Sequence, residues 1–252
     1  MAYHEPVTAM TGLVPAGAMI DLATVDTVAT ADAYARLLDS VVATSVSVGN
    51  GSVRWHPVNP NAENARATEG DVHDDDPAGT HQVSFGVTDS VSARRLLDRR
   101  GLPHDEPVGV TDHTGLIEIG DVDVEAIDHL VFTAPCRDHA LAIFGACLDL
   151  DFRLDREIGK GARQLFFRAA DLVVEVVTGR TSATGDPQPC ALWGVAWRSR
   201  DAAVTHRRLG DLGVPTSEVR IGRKPGTRVF TVHDRALATR TVVIDTETRH
   251  AE

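Results

Sequence analysis

Two ionisable residues, His129 and Glu175, lie inside largely apolar stretches of this chain, the first of which also contains Asp128. Each stretch has the length and composition of a β-strand, 127–132 for the histidine and 172–177 for the carboxylate. A carboxylate in the middle of an apolar strand is costly to bury unless it is paired or bound to a metal. If both side chains point into one concave sheet, they supply half of a divalent-metal site.

Each of these two residues also has a simpler interpretation. Strict alternation along the strand places Glu175 on the same face as Val173 and Val177. On that face it is a ligand, a base, or the partner of an arginine such as Arg163 or Arg168. His129 is a metal ligand, or a residue that hydrogen-bonds a buried backbone group.

A glycine-rich, basic run at 222–228 is a candidate for anion binding. Arginine presents paired donors that suit a carboxylate or phosphate, so the run could clamp such a group over the sheet. It lacks the spacing of a phosphate-binding loop. The alternative is a tight turn that needs glycine and proline and leaves its charges solvated. The candidate substrate-binding residues are Arg223, Lys224 and Arg228.

Trp193 and Trp197 flank Gly194 in another apolar stretch. Residues that alternate along a strand share a face, so we expect both rings to point the same way. They either fill the core, as aromatic side chains commonly do, or form the aromatic wall of a ligand pocket.

A four-part rhythm of strand, helix and further strands positions these residues. Each part is roughly fifty to sixty residues long, which indicates an internal repeat. His81 directly precedes the opening strand of the second part, and Glu118 lies in its predicted closing strand, 115–120. One such unit leaves a sheet face exposed, so units should pair into cupped sheets. The predicted fold class is therefore α+β, built from tandem βαβββ modules.

The predicted organisation has three parts. Residues 1–17 are an irregular leader, 18–123 form an N-terminal domain of two modules, and 124–252 form a C-terminal domain of two modules. Residues 59–79 are acidic and rich in Asn, Pro and Gly, and are predicted to be a solvated loop without a catalytic group.

Composition excludes several classes of function. The chain of 252 residues carries a formal net charge of −11, which argues against binding nucleic acid or an anionic membrane. No stretch approaches the length of a membrane span, and the first residues lack the basic start of a secretory signal. Three cysteines without CxxC spacing are typical of a reducing cytoplasm. We therefore expect a cytoplasmic protein whose partner is a small molecule, with a homodimer as a possible assembly.

The stretch 127–132, the helix after it and the Glu175 strand resemble a vicinal oxygen chelate domain. This superfamily includes glyoxalase I, methylmalonyl-CoA epimerase, extradiol dioxygenases, and fosfomycin and bleomycin resistance proteins. The segments 192–198 and 222–229 are similar to a glyoxalase-like branch, and 81–87 matches the opening of a second module. The resemblance is clearest over about residues 124–246 and weaker over 18–123.

The resemblance implies metal ligands on the first and last strands of each module, where the metal binds two neighbouring oxygens of a substrate. The residues at these positions are Leu22 and His56 in module one, His81 and Glu118 in module two, His129 and Glu175 in module three, and Gly194 with Thr241 or Val242 in module four. Modules one and four therefore depart from the pattern, because Leu, Gly and Val cannot ligate and Thr is a poor ligand.

Two module pairings follow from this departure. The usual pairing of one with two and three with four gives each domain one His and one Glu, which is half a site. If modules two and three paired instead, His81, Glu118, His129 and Glu175 would meet in one cup. That set would suit Ni, Co, Zn, Fe or Mn.

The resemblance implies a divalent-metal-dependent lyase or isomerase acting on a small oxygenated metabolite, with Glu175 or Glu118 as the base. One alternative is a metal-free protein that sequesters a small molecule, as the bleomycin resistance proteins do. Another is an extradiol-type dioxygenase with Fe(II), which needs two histidines and a carboxylate. His81, His129 and Glu175 could provide that triad only in the second pairing.

Overall fold

The protein is described by a computed structural model. It describes residues 16–42, 44–58, 81–102, 107–112, 122–159, 161–179 and 189–246. Most of the predicted leader, the predicted loop 59–79 and Glu118 lie outside the described residues.

The described N-terminal elements form a five-stranded sheet with two helices. They are β1 (Ala18–Thr24), α1 (Thr27–Leu38), β2 (Ser45–Val48), β3 (Gly51–Pro57), β4 (Gln82–Val87), α2 (Ser90–Arg99) and β5 (Val108–Asp112). The strand order is β2-β3-β1-β4-β5. Burial alternates along the edge strands β2 and β5, whereas β1 and β4 inside the sheet are buried almost throughout.

The described C-terminal elements form an eight-stranded sheet with two helices. They are β6 (Val124–Ala134), α3 (Arg137–Ala140, continued as a π-helical stretch Leu141–Cys147), β7 (Asp151–Gly159), β8 (Ala162–Ala169), β9 (Leu172–Thr178), β10 (Ala191–Ser199), α4 (Ala202–Asp211), β11 (Arg220–Ile221), β12 (Thr227–Val232), a short 3-10 turn (Arg235–Leu237) and β13 (Arg240–Thr246). Their order is β11-β12-β13-β10-β6-β9-β8-β7. The α+β class is confirmed.

Strand pairing decides between the two module arrangements. The opening strands of modules one and two, β1 and β4, pair antiparallel, and so do the opening strands of modules three and four, β6 and β10. Modules two and three therefore do not share a sheet, and the alternative pairing is wrong. Within each module the opening strand pairs parallel with a later strand, as β6 does with β9.

Short polar residues set the helix boundaries. The side chain of Asp26 accepts hydrogen bonds from the backbone N–H groups of Val28 and Ala29, so α1 begins directly after it, at Thr27. It ends at Asp39, whose φ of 48° is left-handed. Asp201 caps α4 in the same way.

Several polar contacts join the two halves of the chain, among them those of Asn50, Arg208 and Tyr34. Asn50, in the turn between β2 and β3, donates to the carbonyl of Ile127 and accepts from its N–H, both at 2.8 Å. The guanidinium of Arg208 on α4 binds the two carboxylate oxygens of Asp123 and also donates to the carbonyl at the end of α1, Leu37. The hydroxyl of Tyr34 donates to the Leu237 carbonyl.

Replacement of Asn50 with Ala tests this junction. Asn50 is buried, so the change leaves the N–H and C=O of Ile127 unsatisfied, and the free energy of unfolding should fall by about 2–4 kcal/mol. The measurement is the urea unfolding midpoint. Ser47→Ala, an exposed position on β2, is the control and should leave the midpoint unchanged. An equal midpoint for Asn50→Ala and the parent would contradict the role of this contact.

Candidate functional site

The structure brings His129 and Glu175 together on one sheet face. In the parallel pairing of β6 with β9, His129 lies opposite Val173 and Val131 lies opposite Glu175. Glu175 therefore lies opposite the second residue after His129, and the two ionisable side chains are on the same face of the sheet. The Nε2 atom of His129 lies 4.0 Å from Oε2 of Glu175, and both side chains are mostly buried, 23% and 16% exposed.

A hydrogen bond at Nδ1 fixes the orientation of the His129 ring. Nδ1 lies 2.7 Å from Oδ1 of Asp128, which makes Nδ1 the donor and directs the lone pair of Nε2 towards Glu175. Burial alone would raise the pKa of Asp128, but the bond from His129 and the nearby charges of Arg198 and Lys224 outweigh it and hold that pKa below its usual value. A carboxylate on the far ring nitrogen is the usual support of a metal-binding histidine.

A neutral amide, and not a cation, contacts the carboxylate of Glu175. Its Oε1 accepts a hydrogen bond from Nε2 of Gln164, a residue of β8 that is only 5% exposed. Gln164 in turn accepts from Nε of Arg156 at 2.7 Å, and Arg156 lies over the ring of Phe166. The carboxylate is thus fixed in orientation by a donor that leaves its charge in place.

The proposed pairing of Glu175 with an arginine is wrong within the described residues. Arg163 binds Asp155 at 2.7 Å, and neither it nor Arg168 makes an ion pair with Glu175. No Lys or Arg of the described chain lies within ion-pairing distance of this carboxylate. A mostly buried negative charge beside an imidazole lone pair is the electrostatic environment that attracts a cation.

These residues fit a divalent cation as two ligands of a larger set. The donor types, one imidazole nitrogen and one carboxylate oxygen, suit Zn, Ni, Co, Mn or Fe. Within the described part of the chain, no group of three or more His, Cys, Asp and Glu residues gathers at any point. His129 and Glu175 would therefore hold the cation with water or substrate oxygens as the remaining ligands, which is one protein ligand fewer than catalytic zinc sites have.

The rim of this cup carries an aromatic ring and a guanidinium. The guanidinium carbon of Arg240 lies 4.7 Å from the centre of the Trp193 ring, and Arg240 pairs with Gly194, which pairs with Val131. Val131 in turn pairs with Glu175, so Arg240, Gly194, Val131 and Glu175 form one row across four neighbouring strands. A Cβ on Gly194 would lie only 2.9 Å from the Arg240 carbonyl oxygen, which explains why a ligating side chain is absent there.

Two predicted substrate-binding residues lie on the opposite face. The pairing of β10 with β6 is irregular on both sides of Gly194–Ala196, so the side chains of Trp193 and Trp197 point to opposite faces of the sheet. Trp197 is fully buried, and its ring makes an edge contact with that of Tyr34. Arg228 binds Asp245 and Asp201 at the start of α4. Both residues stabilise the helix side of the sheet, so the prediction that they line the ligand pocket is wrong.

The remaining basic residues of the run stay available. Arg223 and Lys224 are exposed in the turn between β11 and β12, and Lys224 is close enough to Asp128 to lower its pKa. Of the three basic residues of the run, Lys224 is therefore the one whose charge acts on the site.

His81 lies in the other sheet and is no partner of His129. Its ring is buried beside the carbonyl of Ala238, at the junction between the two halves, and neither ring nitrogen has a well-formed hydrogen bond. Burial is the main cause that lowers the pKa of His81 to about 4; the Ala238 carbonyl opposes this shift, and nearby His56 adds a smaller lowering effect. The predicted four-residue metal set is therefore not formed by His81, and Glu118 lies outside the described residues.

Sequence reasoning missed Asp128 and Gln164. Asp128 was visible as the residue before His129, but neighbours on a strand normally point to opposite faces. An irregularity in the pairing of β6 with β10 at this point lets the two side chains meet. Gln164 gave a weaker signal, one amide in the apolar stretch of β8.

Two solved structures that align with nearly the whole chain support the fold. A triple mutant of 4-hydroxymandelate synthase from Streptomyces coelicolor has a TM-score of 0.64 at 14% identity, over 96% of this chain and 94% of that one. A fusion of a xylose isomerase-like TIM barrel with 4-hydroxyphenylpyruvate dioxygenase has a TM-score of 0.60 at 12% identity, over 99% of this chain and 52% of that one. Methylmalonyl-CoA epimerase from Mycobacterium tuberculosis has a TM-score of 0.43 at 18% identity, over 51% of this chain and 93% of that one.

No family model matches the chain, and no curated protein matches it. The protein has the fold of the vicinal oxygen chelate superfamily, which confirms the resemblance at the level of the fold. In the described part of the chain, no helix is long and apolar enough to cross a membrane.

The pH dependence of stability tests the environment of His81. The unfolded chain binds a proton on this residue below pH 6.5, whereas the folded chain does so only near pH 4. The unfolded state therefore holds more protons in this window, and stability should fall by about 3 kcal/mol as the pH drops from 6.5 to 4.

Unfolding midpoints of the parent and of His81→Leu across this pH range measure the contribution, and the variant should lose it. His233→Leu, at an exposed position, is the control. An identical pH profile for the parent and His81→Leu would show that His81 is protonated equally in both states.

Proposed function

We propose that the C-terminal cup binds a small metabolite with two neighbouring oxygens and that the protein acts on it as a divalent-metal-dependent lyase or isomerase. The observation that carries the proposal is the Glu175 carboxylate, mostly buried and 4.0 Å from Nε2 of His129, with no Lys or Arg of the described residues paired to it. A protein that only packed this sheet would be more stable with an apolar residue there, because a buried carboxylate is costly to desolvate.

The two residues have separate tasks in this proposal. His129, oriented by Asp128, would hold a cation through Nε2, together with Glu175. Such a cation would supply a Lewis acid for a substrate carbonyl. Glu175 is the base that would accept a proton from the carbon next to the carbonyl, and Gln164 keeps its carboxylate directed into the cup.

Cationic groups at the rim favour an anionic substrate. Arg240, stacked on Trp193, and Lys224, near Asp128, supply positive charge on a chain whose net charge is −11. A guanidinium held against an aromatic ring is a preorganised partner for a carboxylate. We infer a small oxo- or hydroxy-acid as the substrate class.

A metal-free small-molecule binder is the second candidate. It is favoured by the count of protein ligands, because no third His, Cys, Asp or Glu of the described chain joins His129 and Glu175. The dioxygenase triad of His81, His129 and Glu175 is not formed, since His81 lies in the other sheet at Ala238.

Glu175→Gln separates the two candidates. Glutamine keeps the shape and one acceptor but loses the charge that attracts a cation and the basicity that accepts a proton. In the parent, Ni, Zn, Co, Mn or Fe(II) at a hundredfold excess over its Kd should raise stability by about 2.7 kcal/mol. The variant should fold, and it should lose most of this increase.

Glu157→Gln is the matched control, because Glu157 is exposed on β7 and should leave the metal effect intact. A second readout is exchange of the C–H group next to the carbonyl of 2-oxo acids for C–D in D2O, followed by NMR. The parent with metal should catalyse exchange and Glu175→Gln should not. A parent with no metal-dependent stabilisation, together with a more stable Glu175→Gln, would leave the binder.

A further inference from the structure

A second cavity, of about 480 Å³, lies in the N-terminal half and shares no residue with the His129–Glu175 site. Its volume is within the range of small-molecule sites. The residues that matter for its chemistry are Met19, Asp21, Arg54, Gln82, Ser84 and Arg94. Nothing in the proposed function uses these residues.

Strand register builds the floor of this cavity from two rows of side chains. In the first row, Asp21 of β1 lies between Arg54 of β3 and Gln82 of β4. In the second row, Met19 lies opposite Ser84 of β4, and Ser84 lies opposite Gly109 of β5. Because paired residues share a face, the floor is polar in the first row and mixed in the second.

An ion pair with the buried carboxylate of Asp21 fixes the position of the Arg54 guanidinium. Its Nε and Nη2 donate to the two carboxylate oxygens of Asp21, the second bond at 2.9 Å. The Asp21 side chain is 9% exposed, whereas that of Arg54 is 54% exposed. The guanidinium is therefore anchored on one edge, and its remaining N–H groups are open to a ligand, an arrangement that binds carboxylates at low entropic cost.

Ser84 supplies a donor without a partner. The residue is 8% exposed, and its hydroxyl makes no hydrogen bond to any other described residue. A Cβ built on Gly109 would lie 3.9 Å from the Ser84 Oγ and 3.8 Å from the Gln82 Nε2, so these two polar atoms flank the space that the glycine leaves free. The Ser84 hydroxyl is therefore free to hydrogen-bond a ligand or a water molecule in the cavity.

Arg94 adds a second positive charge at the side of the cavity. Its Nε and Nη2 both donate to the Val110 carbonyl, at 3.4 and 3.3 Å, which leaves Nη1 unused by that contact. Arg54 and Arg94 against Asp21 give the lining one net positive charge, on a chain that is strongly acidic overall.

We propose that this cavity is a second ligand site that binds a small hydroxycarboxylate. The ligand's carboxylate meets the free edge of Arg54, with Arg94 adding positive charge, and its hydroxyl oxygen meets Ser84 beside the Gln82 amide. The site is distinct from the C-terminal cup, so a ligand here acts as an effector or a second substrate.

Binding of L-malate and succinate tests the proposal, because the two dicarboxylates differ only by a hydroxyl group. Calorimetry on the full chain should show that malate binds tighter than succinate. Ser84→Ala should weaken malate binding about fivefold, as expected for one lost hydrogen bond, and should leave succinate binding unchanged. Arg94→Gln should weaken both ligands.

Two further variants locate the binding. Gly109→Leu fills the space beside Ser84 and Gln82 and should abolish binding, whereas Glu175→Gln should have no effect on it. Backbone amide shifts on malate addition should be centred on Ser84 and Gly109. Ser47→Ala, on the same sheet but outside the cavity lining, is the matched control.

Equal affinity for malate and succinate, or equal binding of inorganic phosphate, would overturn the ligand class. No saturable binding of either dicarboxylate, or binding lost in Glu175→Gln and kept in Ser84→Ala, would overturn the site itself. Failure here leaves the C-terminal proposal untouched, because that proposal is read from metal-dependent stability at Glu175.

Discussion

The parallel pairing of β6 with β9 is the constraint on which the C-terminal cup depends. It places Glu175 next to Val131, and hence one step from His129, on the face that the helices do not cover. The same pairing holds the helix-side residues of these strands, such as Phe132 and Val174, in the core. A shift of one residue in this register would turn the carboxylate into the core and the apolar side chains into the cup. Burial of the apolar face thus fixes the geometry of the polar one.

Each sheet contains a buried carboxylate, and the partners of these two carboxylates differ. In the N-terminal sheet, Asp21 is neutralised by the guanidinium of Arg54 on the adjacent strand. In the C-terminal sheet, Glu175 receives a hydrogen bond from the neutral Gln164, and its nearest ionisable neighbour is His129. One cup therefore has its negative charge compensated by the chain, and the other leaves that charge for a cation. This difference is the basis for proposing a cation in the C-terminal half and an organic anion in the N-terminal half.

Much of this arrangement was accessible from the sequence, and the failures have identifiable physical causes. Apolar strands interrupted by single ionisable residues predicted that His129 and Glu175 share a face, and the repeat predicted two sheets of two modules. Trp197 was misplaced because strand irregularities around Gly194 break the alternation on which the prediction depended. β5 was missed because Gly109 leaves it only a short apolar pattern. Asp21 passed unnoticed because its partner Arg54 is distant in sequence and meets it only through β1–β3 pairing.

The most direct test is the anomalous scattering of a crystal of the protein equilibrated with Mn²⁺ or Co²⁺. The account predicts a single strong peak in the C-terminal cup, within bonding distance of Nε2 of His129 and of the Glu175 carboxylate, and no peak there in crystals of Glu175→Gln. A parent crystal without density between these two residues, or with the ion bound to neither of them, would contradict the central claim.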